Sequence, residues 1–482
     1  MNEETLRKAK QKRHSVPVRT ALCGLALFLL NGCLVGPNYL PPEPTAPPGW
    51  VGVSEVSTDQ PSVATAQAVE LSQWWGQFND PNLTTLVEEA VKTNLDLQIA
   101  ETRLRQARAA RGVVVGGLWP SVTATASYQR WNRAGFTVGD QDLYQAGLDA
   151  QWELDFFGGL RRGVESADAT IQASIANIRD AQVSLIAEVA LNYIQLRGFQ
   201  QEIAIARKNL KAQQQTAEIT RKRLKVGFAS ALDAANAEAN VATTESQIPV
   251  FETSARQSIY ALSVLLARPP GDLINQLSAT GSLPKVPSEI PAGLPSDLLR
   301  RRPDIRASEA QLHAATAQIG VAIANFFPTF SLTGVVNWQS NLLSTWLTTP
   351  SHPFSFGPAG TWTIFQGGAI ASNVRLQEAL RDQAFITYQK TVLGAFQDVE
   401  NALIAFNKEQ QHYKKLKEAV IANQKAVDLS LLLYNGGMID FLNVLVAQRS
   451  LYSSEDAMVQ SERSIATNLI ALYKALGGGW EP

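Results

Sequence analysis

Residues 146–154 have the sequence Ala-Gly-Leu-Asp-Ala-Gln-Trp-Glu-Leu, in which apolar and polar side chains alternate. Successive side chains of a strand point to opposite sides, so this alternation predicts a β-strand with one apolar and one polar face. Residues 121–130 alternate in the same way. Together the two stretches predict a β-hairpin within residues 121–156.

A second β-hairpin is predicted within residues 329–365, because residues 330–338 and 354–364 also alternate. Four strands of a soluble sandwich would give the same pattern. Two observations favour a membrane instead: the strands are about ten residues long, and aromatic side chains fall on the apolar faces, as in interfacial girdles. These aromatic residues are Tyr128, Trp152, Trp338, Phe354 and Trp362.

The two hairpins belong to a longer internal duplication. Asp96-Leu97 recurs as Asp304-Ile305, and Gly158-Gly159 as Gly367-Gly368, at a spacing of about 208 to 210 residues. A period this long is too large for a solenoid unit. It indicates two similar halves, which we assign to residues 81–290 and 291–482.

Each half also predicts a very long helix followed by a second helix that returns, over residues 160–266 and 369–476. Apolar residues recur at every seventh position from Val189 to Leu224 and again from Val399 to Tyr434, the seam of a coiled-coil-like helix. A helix from about Gly163 to Val226 would be ~95 Å long. A simple solvated coiled coil would explain the helices but not the β-hairpins.

The returns of both helical hairpins carry turn signals. Gly227 follows the first long helix, and Ser230 with Asp233 forms a capping box for the next helix. Gly436-Gly437 ends the second long helix, and Asp440 with Asn443 restarts it. In this alignment Gly436 is the counterpart of Gly227.

The N-terminus carries the pattern of a processed lipoprotein. A basic region and a short apolar run precede Leu30-Asn31-Gly32-Cys33, which resembles a bacterial lipobox, although Asn31 is larger than usual. We therefore predict a signal peptide over residues 1–32, acylation of Cys33, and outer membrane targeting because Leu34 is not Asp. A plain secretory signal is the alternative.

Residues 33–80 are predicted to be a lipid-anchored N-terminal tether and an equatorial segment. Residues 34–50 are rich in proline, which favours an extended chain. Residues 53–69 are polar and are predicted to be irregular. The tether ends where Asp80 and Pro81 supply an N-cap and a first helical residue.

Composition excludes several classes of function. The chain has 42 basic and 43 acidic residues, so no strong field attracts nucleic acid. No nucleophile elbow, phosphate loop or metal-ligand spacing is present. We expect no enzymatic activity, no metal and no cofactor other than the lipid on Cys33.

Four strands cannot close a membrane barrel, and open edges are not tolerated in lipid. Three copies would supply ~12 strands, enough to enclose water. The predicted fold is therefore mainly α with β: a trimeric 12-stranded transmembrane β-barrel continued by a long periplasmic α-helical barrel. The predicted lumen-facing strand residues are Asp149, Gln151, Glu153, Thr361 and Thr363.

Specific segments carry a resemblance to a known family. They are Trp74-Trp75, Asp80-Pro81, residues 294–306 (LPSDLLRRRPDIR), Gly367-Gly368, residues 447–451 (AQRSL) and residues 471–480 (ALYKALGGGW). With these, residues 33–482 resemble the TolC-like outer membrane factors, specifically NodT-type efflux lipoproteins. The resemblance implies a homotrimeric channel, lipid-anchored in the outer membrane and extending into the periplasm. It also implies a periplasmic adaptor, an inner-membrane pump and export of drugs or other small molecules.

The resemblance also implies roles for the tips of the helical hairpins. Gly227, Phe228, Gly436 and Gly437 match the place where adaptor hairpins dock. The family's periplasmic gate lies early in the last long helix, with an apolar residue, an acid and then an Arg. The corresponding gate candidates are Asp440, Leu442, Leu445, Val446 and Arg449.

Val446 stands where the family has the acid, and Leu442, Leu445 and Val446 together favour an apolar constriction. Whether Asp440 substitutes for the acid stays open, as does the alternative that Val446 only packs against a neighbouring helix. Two other functions also remain possible. One is an exit duct for a secreted protein or signal molecule; the other is a lipid-anchored coiled-coil protein without a pore.

Overall fold

The computed structural model describes residues 33–43, 45–54, 62–65, 71–132, 140–291, 293–348 and 353–480. The predicted signal peptide, residues 1–32, lies outside the described residues. The chain forms two compact units. The first comprises the described parts of Met1–Pro42, Arg105–Ala173 and Glu309–Thr387, and the second those of Glu43–Leu104, Ser174–Ser308 and Tyr388–Pro482.

Helices make up most of the described chain, and the six longest come in three pairs of equal length. α3 and α8 each have 22 residues, α4 and α9 each 67, and α5 and α10 each 35. The helices are α1 (Val51–Ser54), α2 (Pro81–Thr93), α3 (Leu95–Gly116), α4 (Gly159–Lys225), α5 (Ala231–Leu265), α6 (Ile274–Leu277), α7 (Pro295–Arg301), α8 (Pro303–Ala324), α9 (Ala369–Asn435) and α10 (Phe441–Ala475).

The predicted long helices are thus present. Within the part of the chain that the structure describes, no helix is both long and apolar enough to span a bilayer.

The four predicted strands form one antiparallel sheet in the first unit. Its order is β2-β3-β5-β6, with β2 at Ser121–Trp131, β3 at Gln141–Leu154, β5 at Thr329–Ser340 and β6 at Phe354–Thr361. Both predicted hairpins are confirmed, and they are joined by pairing of β3 with β5. The last strand ends at Thr361, so the expectation that Thr363 lies in a strand is wrong.

A second, two-stranded sheet was not predicted. β1 (Val63–Thr65) pairs in parallel with β4 (Glu289–Pro291) in the second unit. The Gln410 side chain extends this pairing, because it accepts from the Ser62 amide at 3.0 Å and donates to the Ser62 carbonyl at 3.1 Å. Residues 53–69 are therefore not wholly irregular, and three-residue strands are too short to show an alternation.

The proline-rich segment is docked rather than free, which corrects the prediction of an extended tether. In the second unit, Trp50 is buried and its indole donates to the Gly293 carbonyl at 3.1 Å. The amides of Val51 and Gly52 donate to the Glu400 carboxylate at 2.8 and 2.9 Å. Buried aromatic surface and satisfied amides hold this segment in place.

The core of the second unit is built around the Trp74-Trp75 motif. Trp74 is fully buried and stacks on Tyr473, with ring centroids 5.0 Å apart. Asp80 caps α2 as predicted, because one carboxylate oxygen accepts from the Asn82 and Leu83 amides. The other accepts from the Tyr193 hydroxyl at 2.8 Å. One side chain therefore joins α2 to α4.

Candidate functional site

The register of the four-stranded sheet brings the predicted polar residues onto one face. Asp149 lies opposite Thr123 on β2 and Val335 on β5. Gln151 lies opposite Ser121 and Thr333, and Glu153 lies opposite Ser331. Directly opposed residues of an antiparallel pair project from the same face. These residues therefore form one polar face across β2, β3 and β5, in which Val335 is an apolar exception. Thr361 on β6 lies opposite Thr329 and belongs to the same face.

The opposite face of the sheet is apolar over the same span. Leu148 lies between Ala124 and Val336, and Trp152 lies opposite Leu332. Charges enter this face only near the β2–β3 turn within the described strands, where the Tyr128 hydroxyl donates to Asp142 at 2.9 Å. The sheet therefore separates an apolar surface from a polar one, as a wall between lipid and water requires.

Both outer strands of the sheet have a free edge. Within the described residues, β2 pairs only with β3, and β6 pairs only with β5. Their outward backbone N–H and C=O groups can accept a further strand. The sheet can thus be extended by further strands at both edges.

The first helical turn lies between α4 and α5 and follows the predicted chemistry. Gly227 has φ +82°, and the Phe228 amide donates to the Arg223 carbonyl at 2.8 Å, a Schellman arrangement. Ser230 and Asp233 form the predicted capping box, with distances of 3.1 and 2.9 Å. A left-handed glycine and a reciprocal cap thus reverse the chain over five residues.

The second helical turn, between α9 and α10, has the same geometry with one correction. Gly437 has φ +73°, and the Met438 amide donates to the Leu433 carbonyl at 2.9 Å. The counterpart of Gly227 is therefore Gly437, not Gly436. Asp440 is the N-cap, but its side chain makes no capping bond; instead its carbonyl accepts from the Asn443 amide at 3.2 Å.

Apolar side chains are exposed at both turns. Phe228 is 74% exposed and Met438 is 66% exposed. A Cβ added to Gly227 would meet no atom within 4 Å. Each turn therefore presents an apolar side chain to solvent.

The gate candidates on α10 divide between two faces of the helix. Leu442 and Val446 lie four residues apart and are 60% and 55% exposed, and Arg449 continues the same face. Its guanidinium donates to the Asn240 amide oxygen on α5 at 3.3 Å. Leu445 is 3% exposed and packs with Phe441 and Tyr434. Leu445 therefore cannot join Leu442 and Val446 in one constriction, which corrects the prediction.

A buried ion pair between α4 and α10 was missed by sequence reasoning. Arg463 lies 3.1 Å from the Glu202 carboxylate and over the Phe199 ring at 4.6 Å. Burial outweighs the attraction of Arg463 and, with repulsion from Asp456, raises the pKa of Glu202 to about 7. The sequence feature that points to this contact is Gly198 within the long helix, because an added Cβ there would lie 2.5 Å from Arg463 Cδ.

Other polar groups line the same helix pair. Glu455 accepts from Lys208 at 3.0 Å and from Asn209 at 2.6 Å. Burial also raises the pKa of Asp456 and of Glu462. The packing of α10 against α4 is therefore polar along part of its length. Cys33, the predicted acylation site, is exposed at the start of the described chain.

Comparisons with known proteins agree with this architecture. A model of the Outer membrane efflux protein family matches residues 86–268 and 294–478. The chain is 31% identical to Nodulation protein T of Rhizobium leguminosarum bv. trifolii, over 94% of this chain and 96% of that protein. It is 32% identical to the Pyoverdine export outer membrane protein OpmQ of Pseudomonas aeruginosa, over 95% and 96%.

A solved structure of the outer-membrane channel OprN is also similar to this chain. The TM-score is 0.86 and the identity 36%, over 93% of this chain and all of that one. These matches extend over both halves of the sequence.

Proposed function

Since the chain belongs to the outer membrane efflux protein family and is an outer membrane channel component of an efflux system, we propose that three copies form one passive exit duct. The duct crosses the outer membrane and extends into the periplasm. The family consists of channel proteins rather than enzymes. Transport energy then comes from an inner-membrane pump, joined to the duct by a periplasmic adaptor.

The polar face of the sheet carries this proposal. A water-filled barrel needs strands that are polar inside and apolar outside. Asp149, Gln151 and Glu153 lie on the polar face together with the residues that oppose them. Three four-stranded sheets, joined β2 to β6 through their free edges, give ~12 strands, a number that leaves an aqueous lumen.

The equal helix pairs support a duct made of repeated halves. Trp152 donates to the Leu118 carbonyl at 2.9 Å, and Trp362 donates to the Phe326 carbonyl at 3.1 Å. In each half, a tryptophan in a strand or directly after one thus bonds to the carbonyl two residues beyond the end of a preceding helix. Each chain then supplies two helical hairpins, and three chains supply six similar units to a periplasmic tube.

The exposed face of α10 suits an apolar gate. Leu442 and Val446 present branched side chains on one face, and a ring of such residues closes a pore by excluding water. Asp440 and Arg449 flank this pair, and Leu445 supports the helix from behind. The turns at Gly227 and Gly437, with Phe228, Gly436 and Met438, are the surfaces on which we expect the adaptor to dock.

The exported substrate is a drug or another small molecule. Relatives carry the names pyoverdine export protein and antibiotic efflux pump protein, which favours small molecules over a secreted protein. A coiled-coil protein without a pore has no use for a sheet that separates a polar from an apolar face.

Planar bilayer recordings on the purified, lipid-bearing protein test the duct. We expect heat-modifiable trimers and discrete single-channel conductance. A deletion strain should become more susceptible to toxic small molecules and should secrete proteins normally. Trimers that never conduct in any bilayer would refute the duct and favour the coiled-coil alternative. A protein secretion defect with unchanged drug susceptibility would favour the secretion duct.

A further inference from the structure

The segment that follows Cys33 is bound to the rest of the first unit at almost every residue. The Val35 amide donates to the Phe157 carbonyl at 3.1 Å, at the junction between β3 and α4. Leu34 lies on Gly158, whose φ is +77° and where an added Cβ would be 2.6 Å from Leu34 Cδ1. The chain behind Cys33 therefore begins against the end of a strand.

Arg162 binds the next residues of this segment. Its side chain is only 1% exposed and pairs with Glu165 at 2.7 Å. It donates to the Val35 and Gly36 carbonyls at 3.0 and 3.3 Å, and to the Asn38 amide oxygen at 2.7 Å. The rigid guanidinium fork thus uses most of its donors on one short stretch of chain, which a lysine cannot do.

Gly36 and Tyr39 complete the fit. Gly36 has φ +87°, and an added Cβ would lie 2.5 Å from the Gly320 Cα on α8. The Tyr39 ring stacks on His313, with centroids 4.2 Å apart, and its hydroxyl donates to Glu309 at 3.3 Å. The contacts of residues 34–39 with Arg162, Gly320 and His313 form what we name the clasp.

The clasp lies next to an aromatic surface at one end of the sheet. Phe157 stacks on Phe327, with centroids 4.5 Å apart. Trp362 bonds to the Phe326 carbonyl, and Trp119, Trp362 and Phe365 are exposed. Aromatic side chains concentrate where a membrane meets water. We call the surface formed by Trp119, Phe326, Phe327, Trp362 and Phe365 the aromatic end.

We propose that the clasp holds the acylated Cys33 at the aromatic end, so that its acyl chains enter the membrane at a set position beside the strands. Only Leu34 separates Cys33 from Val35, whose amide bonds to the Phe157 carbonyl, so the lipid has little freedom to move away. Arg162 is a positioning residue for the lipid. This inference rests on the proposed function, because it requires the sheet to lie in the membrane.

Chymotrypsin tests the clasp in the purified lipoprotein, since the Tyr39–Leu40 bond becomes accessible only when Tyr39 leaves His313. Cleavage of a locally opening segment follows the population of its open state. We expect Arg162→Ala, Arg162→Lys and Gly36→Ala to accelerate release of the peptide 33–39 by at least about tenfold. Gly49→Ala is the matched control, because a Cβ there meets no atom within 4 Å. Equal cleavage rates in all five proteins would overturn the clasp.

A photoreactive fatty acid supplied to growing cells tests the position of the lipid. In the unmutated protein, irradiation should cross-link the acyl chain to the aromatic end, and peptide mass spectrometry locates the site. Arg162→Lys keeps the charge but loses the fork, so we expect the cross-links to decrease and spread. Cross-links that avoid the aromatic end, or label that never reaches Cys33, would overturn the proposal.

Single-channel recordings on the same variants separate this inference from the duct. If the unmutated protein conducts and the cross-links are unaffected by Arg162→Lys, the clasp fails and the duct stands. If the cross-links behave as expected and the unmutated protein never conducts, the duct fails and the clasp's hold on Cys33 stands.

Discussion

Arg302 contacts three parts of the second unit with one side chain. Its guanidinium donates to Asp304 on α8 at 2.7 Å, to Asp398 on α9 at 3.0 Å and to the Ala475 carbonyl of α10 at 3.2 Å. In the sequence, Arg302 is only a basic residue before Pro303, which begins α8. A guanidinium group can bond several acceptors at once, so Arg302 also holds the end of α10. The residues next to Arg302 in the sequence do not reveal this contact.

The left-handed glycine at the second helical turn gives a prediction at this scale. An L-residue pays about 1 kcal/mol to adopt positive φ, so Gly437→Ala should lower the heat stability of the purified trimer. Gly436→Ala is the control, because its φ is not positive and its nearest contact is the flexible Met438 methyl at 3.2 Å. If the two variants unfold at the same temperature, Gly437 does not have the role that we assign.

The buried Glu202 gives a second prediction. Its pKa rises from the ordinary value of 4.5 to about 7 in the folded protein, so the folded state binds the proton more tightly than the unfolded state. The resulting stabilisation is complete below about pH 4.5 and is lost as the pH rises to about 7. The loss is on the order of 3 kcal/mol.

Denaturation midpoints measured between pH 4.5 and 8 check this dependence. Glu202→Gln should remove most of the decrease with pH. Glu238→Gln, which breaks an exposed pair with Arg221, should keep it. A decrease of equal size in Glu202→Gln would assign the effect to another group, such as Asp456 or Glu462.

At the scale of elements, alternation and heptad spacing located the strands and the long helices, because both patterns repeat over many residues. The same patterns could not assign the faces of α10. Leu442, Leu445 and Val446 are all branched and apolar, yet only Leu445 is buried. The face of α10 that packs against the protein depends on the positions of α4, α5 and α9. Only the structure could therefore exclude Leu445 from the gate candidates.

A lysine should be tolerated on the polar face of β3 and should destabilise the protein on its apolar face. Gln151→Lys lies on the polar face and should leave trimers stable while lowering cation selectivity. Ala150→Lys lies on the apolar face and should cost about 2 to 4 kcal/mol near the bilayer midplane, so we expect few folded trimers in outer membrane fractions. Equal tolerance of both variants in immunoblots of those fractions would contradict the assignment of the faces.

The α10 gate is tested by adding polarity with side chains of similar shape. Leu442→Asn with Val446→Thr should raise the closed-state conductance of purified trimers several-fold, because a polar constriction stays hydrated. Ile421→Ser changes an exposed apolar residue on α9 and serves as the control. Unchanged conductance in the double variant would favour the alternative that Val446 only packs against a neighbouring helix.

At the scale of the whole molecule, one chain leaves its sheet unfinished. The free edges of β2 and β6 within the described residues would be costly in lipid. In the proposed duct other copies complete the sheet, which would tie folding of the membrane part to assembly. For this reason the stability of the barrel should depend on protein concentration until trimers form.

Disulfide trapping tests this closure. Thr125 on β2 and Gly357 on β6 both lie on the polar face. Thr125→Cys with Gly357→Cys should give covalent dimers and trimers on oxidation in membranes. Thr125→Cys with Gln339→Cys is the control, because β5 is an inner strand. Equal cross-linking in the two proteins would show that β2 does not meet β6 of a neighbour.

The amino-acid sequence by itself determined the repeating features. Strand alternation, heptads, capping residues and the duplicated order of elements all follow from local periodicity and conformational preference. They were sufficient to predict the hairpins, the long helices and, through the resemblance, the channel.

Only the tertiary structure decided the contacts between residues far apart in the chain. It buried Leu445, paired Glu202 with Arg463, docked the proline-rich segment and closed Arg162 around residues 35–38. None of these contacts has a period. Each depends on which helix faces which, and that is decided by packing and by the need to satisfy buried polar groups.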